Sequence, residues 1–77
     1  MDKFYRRLRD LREDHDMSQA EVAEFLGIHR QQYYRYEIGY REIPVHMVVR
    51  LAHLYKTSAD YILGMTNNPK PYNDIPE

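Results

Sequence analysis

The sequence predicts an all-α domain built from five short helices. Three observations carry this. Apolar residues recur at helical spacing in one segment after another. No alternating strand pattern persists. The three glycines fall where short helices need to stop. With 77 residues the chain is one domain at most. Its 43% hydrophobic and 30% charged residues place it among folded globular chains.

The elements follow in order. Phe4, Leu8, Leu11 and His15 lie on one helix face, so the first helix is expected from about Lys3 to His15. Ser18-Gln19-Ala20-Glu21 reads as a capping box, in which the serine hydroxyl and the glutamate carboxylate satisfy each other's backbone N–H. The second helix runs from there to Leu26, with Val22, Ala23 and Leu26 inward. Gly27 stops it, because glycine enters the left-handed region without penalty. The third helix is expected from Arg30 to Ile38, stopped by Gly39. Ile28, Tyr33 and Tyr36 can then face the core, while Arg30, Gln31, Tyr34 and Arg35 face outward together.

Pro44 suits the first turn of a fourth helix, where its missing N–H costs nothing. Val45, Val48, Ala52 and Tyr55 supply its expected inward face. Thr57 or Ser58 can cap a fifth helix that Gly64 ends. Residues 65–77 hold three prolines and three asparagines with little apolar content. They are expected to form a mobile tail beyond a domain at 1–64.

Composition removes several function classes. There is no cysteine, hence no disulfide framework and no thiolate metal site. The N-terminal residues lack the apolar stretch of a signal peptide, and no apolar run approaches a bilayer span. A cytoplasmic protein with no membrane partner is the expectation. The four histidines (His15, His29, His46 and His53) show no ligand spacing for a metal. His46, Arg50 and His53 share a face of the fourth helix, which reads as a solvated face. Asp10, Glu13 and Asp14 form a charge run, not a placed acid–base pair. No glycine-rich phosphate loop occurs. Neither an enzyme nor a cofactor is expected.

Net charge is −1, whereas nucleic-acid binders usually carry a basic excess. The distribution matters more. Between His29 and Arg41 stand Arg30, Arg35 and Arg41 against one acid, Glu37. A capped short helix, a glycine, an inward aliphatic residue and a second short helix with polar outward residues make one continuous unit from Ser18 to Gly39. This unit resembles the helix-turn-helix of the Cro and phage-repressor family, also called Xre-like. The likeness extends from Leu8-Arg-Asp-Leu-Arg12 to Ser58-Ala-Asp-Tyr-Ile-Leu-Gly64 and covers nearly all of the chain except the tail.

The resemblance implies a compact, five-helix, lambda-repressor-like DNA-binding domain acting as a transcriptional regulator, of the repressor kind. It assigns the third helix to the major groove. The family's base-contacting positions fall on Arg30, Gln31, Tyr34 and Arg35. Its phosphate-side positions fall on Gln19, Tyr40 and Arg41. Arginine can take guanine O6 and N7 with two bonds, and glutamine can do the same for adenine. The family often pairs an arginine and a glutamate at the positions of Arg12 and Glu37. It commonly binds near-palindromic duplex DNA as a homodimer. The pairing surface is expected at the fifth helix and the adjoining chain, around Tyr61, Leu63 and Met65, whose apolar side chains would otherwise lack a role.

The chain departs from the family at His29, where a serine or threonine cap is usual, and at Ile38, Glu42 and Lys56. The alternatives are an antitoxin and a protein-interaction module that keeps the fold. For Arg30, Gln31 and Arg35 taken alone, the alternative is a solvated helix face. Tyr33 and Tyr36 are expected in the core, and Tyr34 and Tyr40 with their hydroxyls on DNA or water.

Overall fold

Leu8, Val22, Tyr33, Leu51 and Ile62 each come from a different helix, and solvent reaches none of them appreciably. They form the centre of one core in the computed structural model, which describes residues 5–70. The helices are α1 (Arg6–Asp14), α2 (Gln19–Leu26), α3 (Arg30–Glu37), α4 (Val45–Tyr55) and α5 (Ala59–Ile62). No strand occurs among the described residues. The expected all-α, five-helix class is therefore the observed one.

Local chemistry explains most of the boundaries. Tyr5 is the N-cap of α1, so the helix begins at Arg6; Lys3 and Phe4 lie outside the described residues. At α2, Ser18 Oγ accepts from the Glu21 N–H at 3.1 Å, and Glu21 Oε1 accepts from the Ser18 N–H at 2.8 Å. Gly27, at φ 76°, closes α2 in the left-handed conformation. Ile38 caps α3, and Gly39 follows at φ 82°. Ser58, not Thr57, caps α5 by accepting from the Tyr61 N–H at 3.0 Å.

One expectation about the core needs correction. Val45 is 75% exposed, while Met47, Val48, Leu51, Ala52 and Tyr55 form the buried face of α4. Val45 sits about a quarter turn from the centre of that set, so its three-residue spacing to Val48 misleads. Pro44 is the N-cap of α4, one residue ahead of its first turn. His15 is exposed at the end of α1, with its ring centroid 4.9 Å from that of Tyr55 and its Nδ1 2.9 Å from the Leu11 carbonyl. It borders the core without entering it.

Part of the segment expected as a tail is held against the helices. Arg7 donates to the Tyr61 and Thr66 carbonyls and to Asn67 Oδ1, and its guanidinium lies 4.2 Å from the Tyr61 ring centre. Thr57 Oγ1 donates to the Pro69 carbonyl at 2.7 Å. Residues 71–77, the rest of that expectation, lie outside the described residues.

Candidate nucleic-acid interface

The interface is built on one buried carboxylate. Glu37 ends α3 with 3% of its surface exposed. Arg12 of α1 donates to it from Nε at 2.8 Å and from Nη2 at 3.1 Å. Gln19 of α2 donates from Nε2 at 3.0 Å, and Tyr33 of α3 from its hydroxyl at 2.8 Å. A single side chain thus ties three helices together. Burial alone would raise the Glu37 pKa, but the bonds from Arg12, Gln19 and Tyr33 outweigh it and leave the carboxyl below its ordinary value. Burial and the Glu37 bond push the Tyr33 phenol well above its usual value, so it stays a donor. Arg12 also donates to the Met17 carbonyl at 2.9 Å, which fixes the chain entering α2.

With α3 anchored from below, its other side is free. Arg30, Gln31, Tyr34 and Arg35 are all exposed. Tyr40 and Arg41 are exposed just beyond the helix, and their backbone N–H groups both donate to the Arg35 carbonyl, at 2.9 and 3.1 Å. That turn fixes Arg41 relative to the helix end. Two shallow clefts flank the ridge. One is lined by Gln19, Arg30, Gln31 and Tyr34. The other is lined by His29, Gln31, Gln32, Arg35, Tyr36, Arg41 and Glu42. Gln31 borders both, so it stands on the crest between them.

Gln19 occupies two roles at once. It is the first residue of α2, where the N–H has no intrahelical acceptor, yet its side-chain amide is turned onto Glu37. Its side chain is therefore pre-positioned at the cleft edge instead of being free in solvent. Sequence reasoning did not find Gln32, which lines the second cleft and donates to the Tyr36 hydroxyl at 3.1 Å. Its four-residue spacing to Tyr36 is the sequence signal for that bond. Among the described residues no group of three or more metal-ligating side chains comes together, and no helix is long and apolar enough to cross a membrane.

The model of the helix-turn-helix family matches residues 8–62, which includes all five helices except the first two residues of α1. The chain belongs to the helix-turn-helix family. Among curated proteins it is similar to YobD of Bacillus subtilis, named as an uncharacterized HTH-type transcriptional regulator, at 41% identity over 68 residues. That match covers 88% of this chain and 61% of YobD. It is 38% identical over 64 residues to YonR, a regulator of the same type from the SPbeta prophage of B. subtilis, covering 83% of this chain and 59% of YonR. It is 36% identical over 59 residues to the B. subtilis HTH-type transcriptional regulator ImmR, covering 77% of this chain and 46% of ImmR. The chain thus spans about 60% of the length of the first two relatives. No solved structure matches the chain. Within the helix-turn-helix unit, α2 and α3 are the paired helices, and the Glu37 cluster is what locks them to α1.

Proposed function

We propose that this chain binds double-stranded DNA at specific sequences by placing α3 in the major groove, and that it regulates transcription as a repressor. One observation carries the proposal. A helix whose inner side is locked by Tyr33, Tyr36 and Glu37 presents Arg30, Gln31, Tyr34 and Arg35 to solvent, between two clefts edged by Gln19 and Arg41. A helix with its side chains is about 10–12 Å across and the major groove about 12 Å wide, so α3 fits while the sugar–phosphate walls meet the clefts. Gln31 and Arg35 lie one turn apart on one face and read base edges. Arg30 divides between base and phosphate, Tyr34 faces the groove, and Gln19, Tyr40 and Arg41 hold the backbone. The names of the relatives support the regulatory role.

Two copies on a near-palindromic operator complete the picture, since one module offers few base contacts. The pairing surface is α5 and the chain after it. Met65 is 75% exposed there, and Tyr61 and Leu63 are half-buried beside it.

The test is a titration of two variants on a selected duplex and on a scrambled one, at two salt concentrations. Arg35→Ala weakens the selected site by about 1–3 kcal/mol and relaxes preference at one or two base pairs. Arg41→Ala weakens both duplexes alike and lowers the salt slope by about one unit. Equal losses on both duplexes for Arg35→Ala reduce it to a phosphate contact. No effect of either variant removes α3 as the reading element and leaves a protein-interaction module.

A further inference from the structure

The outward side of α3 is not uniformly polar. Arg30, Tyr34 and Ile38 follow one another at four-residue intervals, and the Ile38 N–H still donates to the Tyr34 carbonyl at 3.1 Å, so the three form one row along the helix. Tyr34 and Ile38 are each 45% exposed. Gln31 and Arg35 form the neighbouring row. The row with Tyr34 lies on the flank towards α2, because Tyr34 and Arg30 share their cleft with Gln19. The helix surface is thus divided lengthwise into a hydrogen-bonding crest and an apolar shoulder, with Arg30 and Arg35 beside it.

The major groove is divided in a matching way. Donors and acceptors crowd its floor, while the thymine C5-methyl stands at the outer edge of the base pair, near its own strand's sugar–phosphate wall. A shoulder that is apolar, flanked by arginines and adjacent to a phosphate-side residue complements that methyl edge. It does not complement cytosine, which offers hydrogen at the same position.

We infer that Tyr34 and Ile38 are specificity-determining residues that select thymine through its 5-methyl group, on the strand whose backbone faces Gln19. This rests on the proposed DNA binding. It adds the chemistry that the crest residues cannot supply, since Gln31 and Arg35 recognise only polar atoms.

The experiment replaces each thymine of the selected duplex with deoxyuridine, one position at a time, and measures affinity for the full chain. Deoxyuridine keeps the same Watson–Crick pairing and hydrogen-bonding edge and lacks only the methyl. At one or two adjacent positions the replacement lowers affinity about fourfold, the worth of one buried methyl. The same replacement costs nothing in Tyr34→Ala or in Ile38→Ala, according to which side chain covers that methyl. Both side chains are exposed in the free chain, and unchanged circular dichroism checks that the variants keep the fold. If the chain binds its selected duplex specifically and no deoxyuridine costs affinity, the inference is overturned while the DNA-binding proposal stands. If the methyl effect persists undiminished in both variants, another side chain makes the contact and the inference is again overturned. Absence of sequence-specific binding to any duplex removes both.

Discussion

α2 and α3 have the same length, eight residues each, and each buries three of them, but their N-terminal ends are held differently. α2 buries Val22, Ala23 and Leu26 and is also secured at both ends. It has a complete capping box at Ser18 and a left-handed glycine at Gly27, and Arg50 donates to the last carbonyls, Phe25 and Leu26, at 2.7 and 3.2 Å. α3 has no side-chain cap at His29, and one of its three buried residues is the hydrogen-bonded carboxylate of Glu37. Isolated eight-residue helices are unstable in water, so each needs support from outside. The difference teaches where freedom is left. A helix secured through its inner side needs nothing from its outer residues. α3 can therefore carry side chains chosen for a ligand, while α2 acts as the fixed brace beside it.

The largest test of this contrast removes the inner anchor. Glu37→Ala leaves Arg12 without its partner in a poorly solvated position and costs about 3–5 kcal/mol in a urea denaturation series. A loss under 1 kcal/mol would show that α3 does not depend on the cluster. Acid sharpens the same point. The folded Glu37 carboxyl binds its proton less tightly than the unfolded chain does. Its contribution is present above the ordinary glutamate value of about 4.3 and is lost as pH falls below that through the folded value. Stability measured from pH 6 to pH 3 falls more gently in Glu37→Gln than in the parent, and parallel curves would assign the acid transition to other carboxylates.

End effects come next. Ser18→Ala breaks the box and costs about 1 kcal/mol by thermal melting. Lys56 closes α4 at φ 57°, the conformation that Gly27 adopts for α2, and a side chain there is strained. Lys56→Gly gains up to about 1 kcal/mol in the same assay; a loss would mean that the lysine stem packs well enough to offset the strain. The smallest effect is at α3 itself. His29 already has the extended backbone of a cap residue, φ −72° and ψ 148°, close to that of Ser18. His29→Ser supplies the missing acceptor and adds about 0.5 kcal/mol. A gain as large as the Ser18→Ala loss would mean that α3 depends on its end as much as α2 does.

Much of the fold was legible because the decisive signals are local. The Ser18 box, the three glycine stops and the inward Val22, Ala23 and Leu26 all follow from neighbours within a turn or two. What was not legible depends on how helices approach one another. Val45 has helical spacing to Val48, yet the buried set that includes Met47 and Leu51 is centred about a quarter turn away. At the candidate site, the outward set on α3 could be read from periodicity. The bond from Gln19 to Glu37 could not, because no spacing rule links α2 to the far end of α3; Tyr33, four residues before Glu37 on the same helix, was within reach of such a rule. The segment from Thr66 to Pro69 looks like loop by composition, and its partners are far away in sequence.

That last feature bears on time as well as on shape. The acceptors of Arg7 stand 54, 59 and 60 residues further along the chain. The packing of α1 on α5 closes the same loop, so the clasp adds little closure entropy once those two helices have met. Interactions absent from the folding transition state leave the rate of folding almost untouched and act on the rate of opening. Arg7→Ala is therefore expected to speed opening more than it slows folding, and parallel changes in both rates would place the clasp in the transition state.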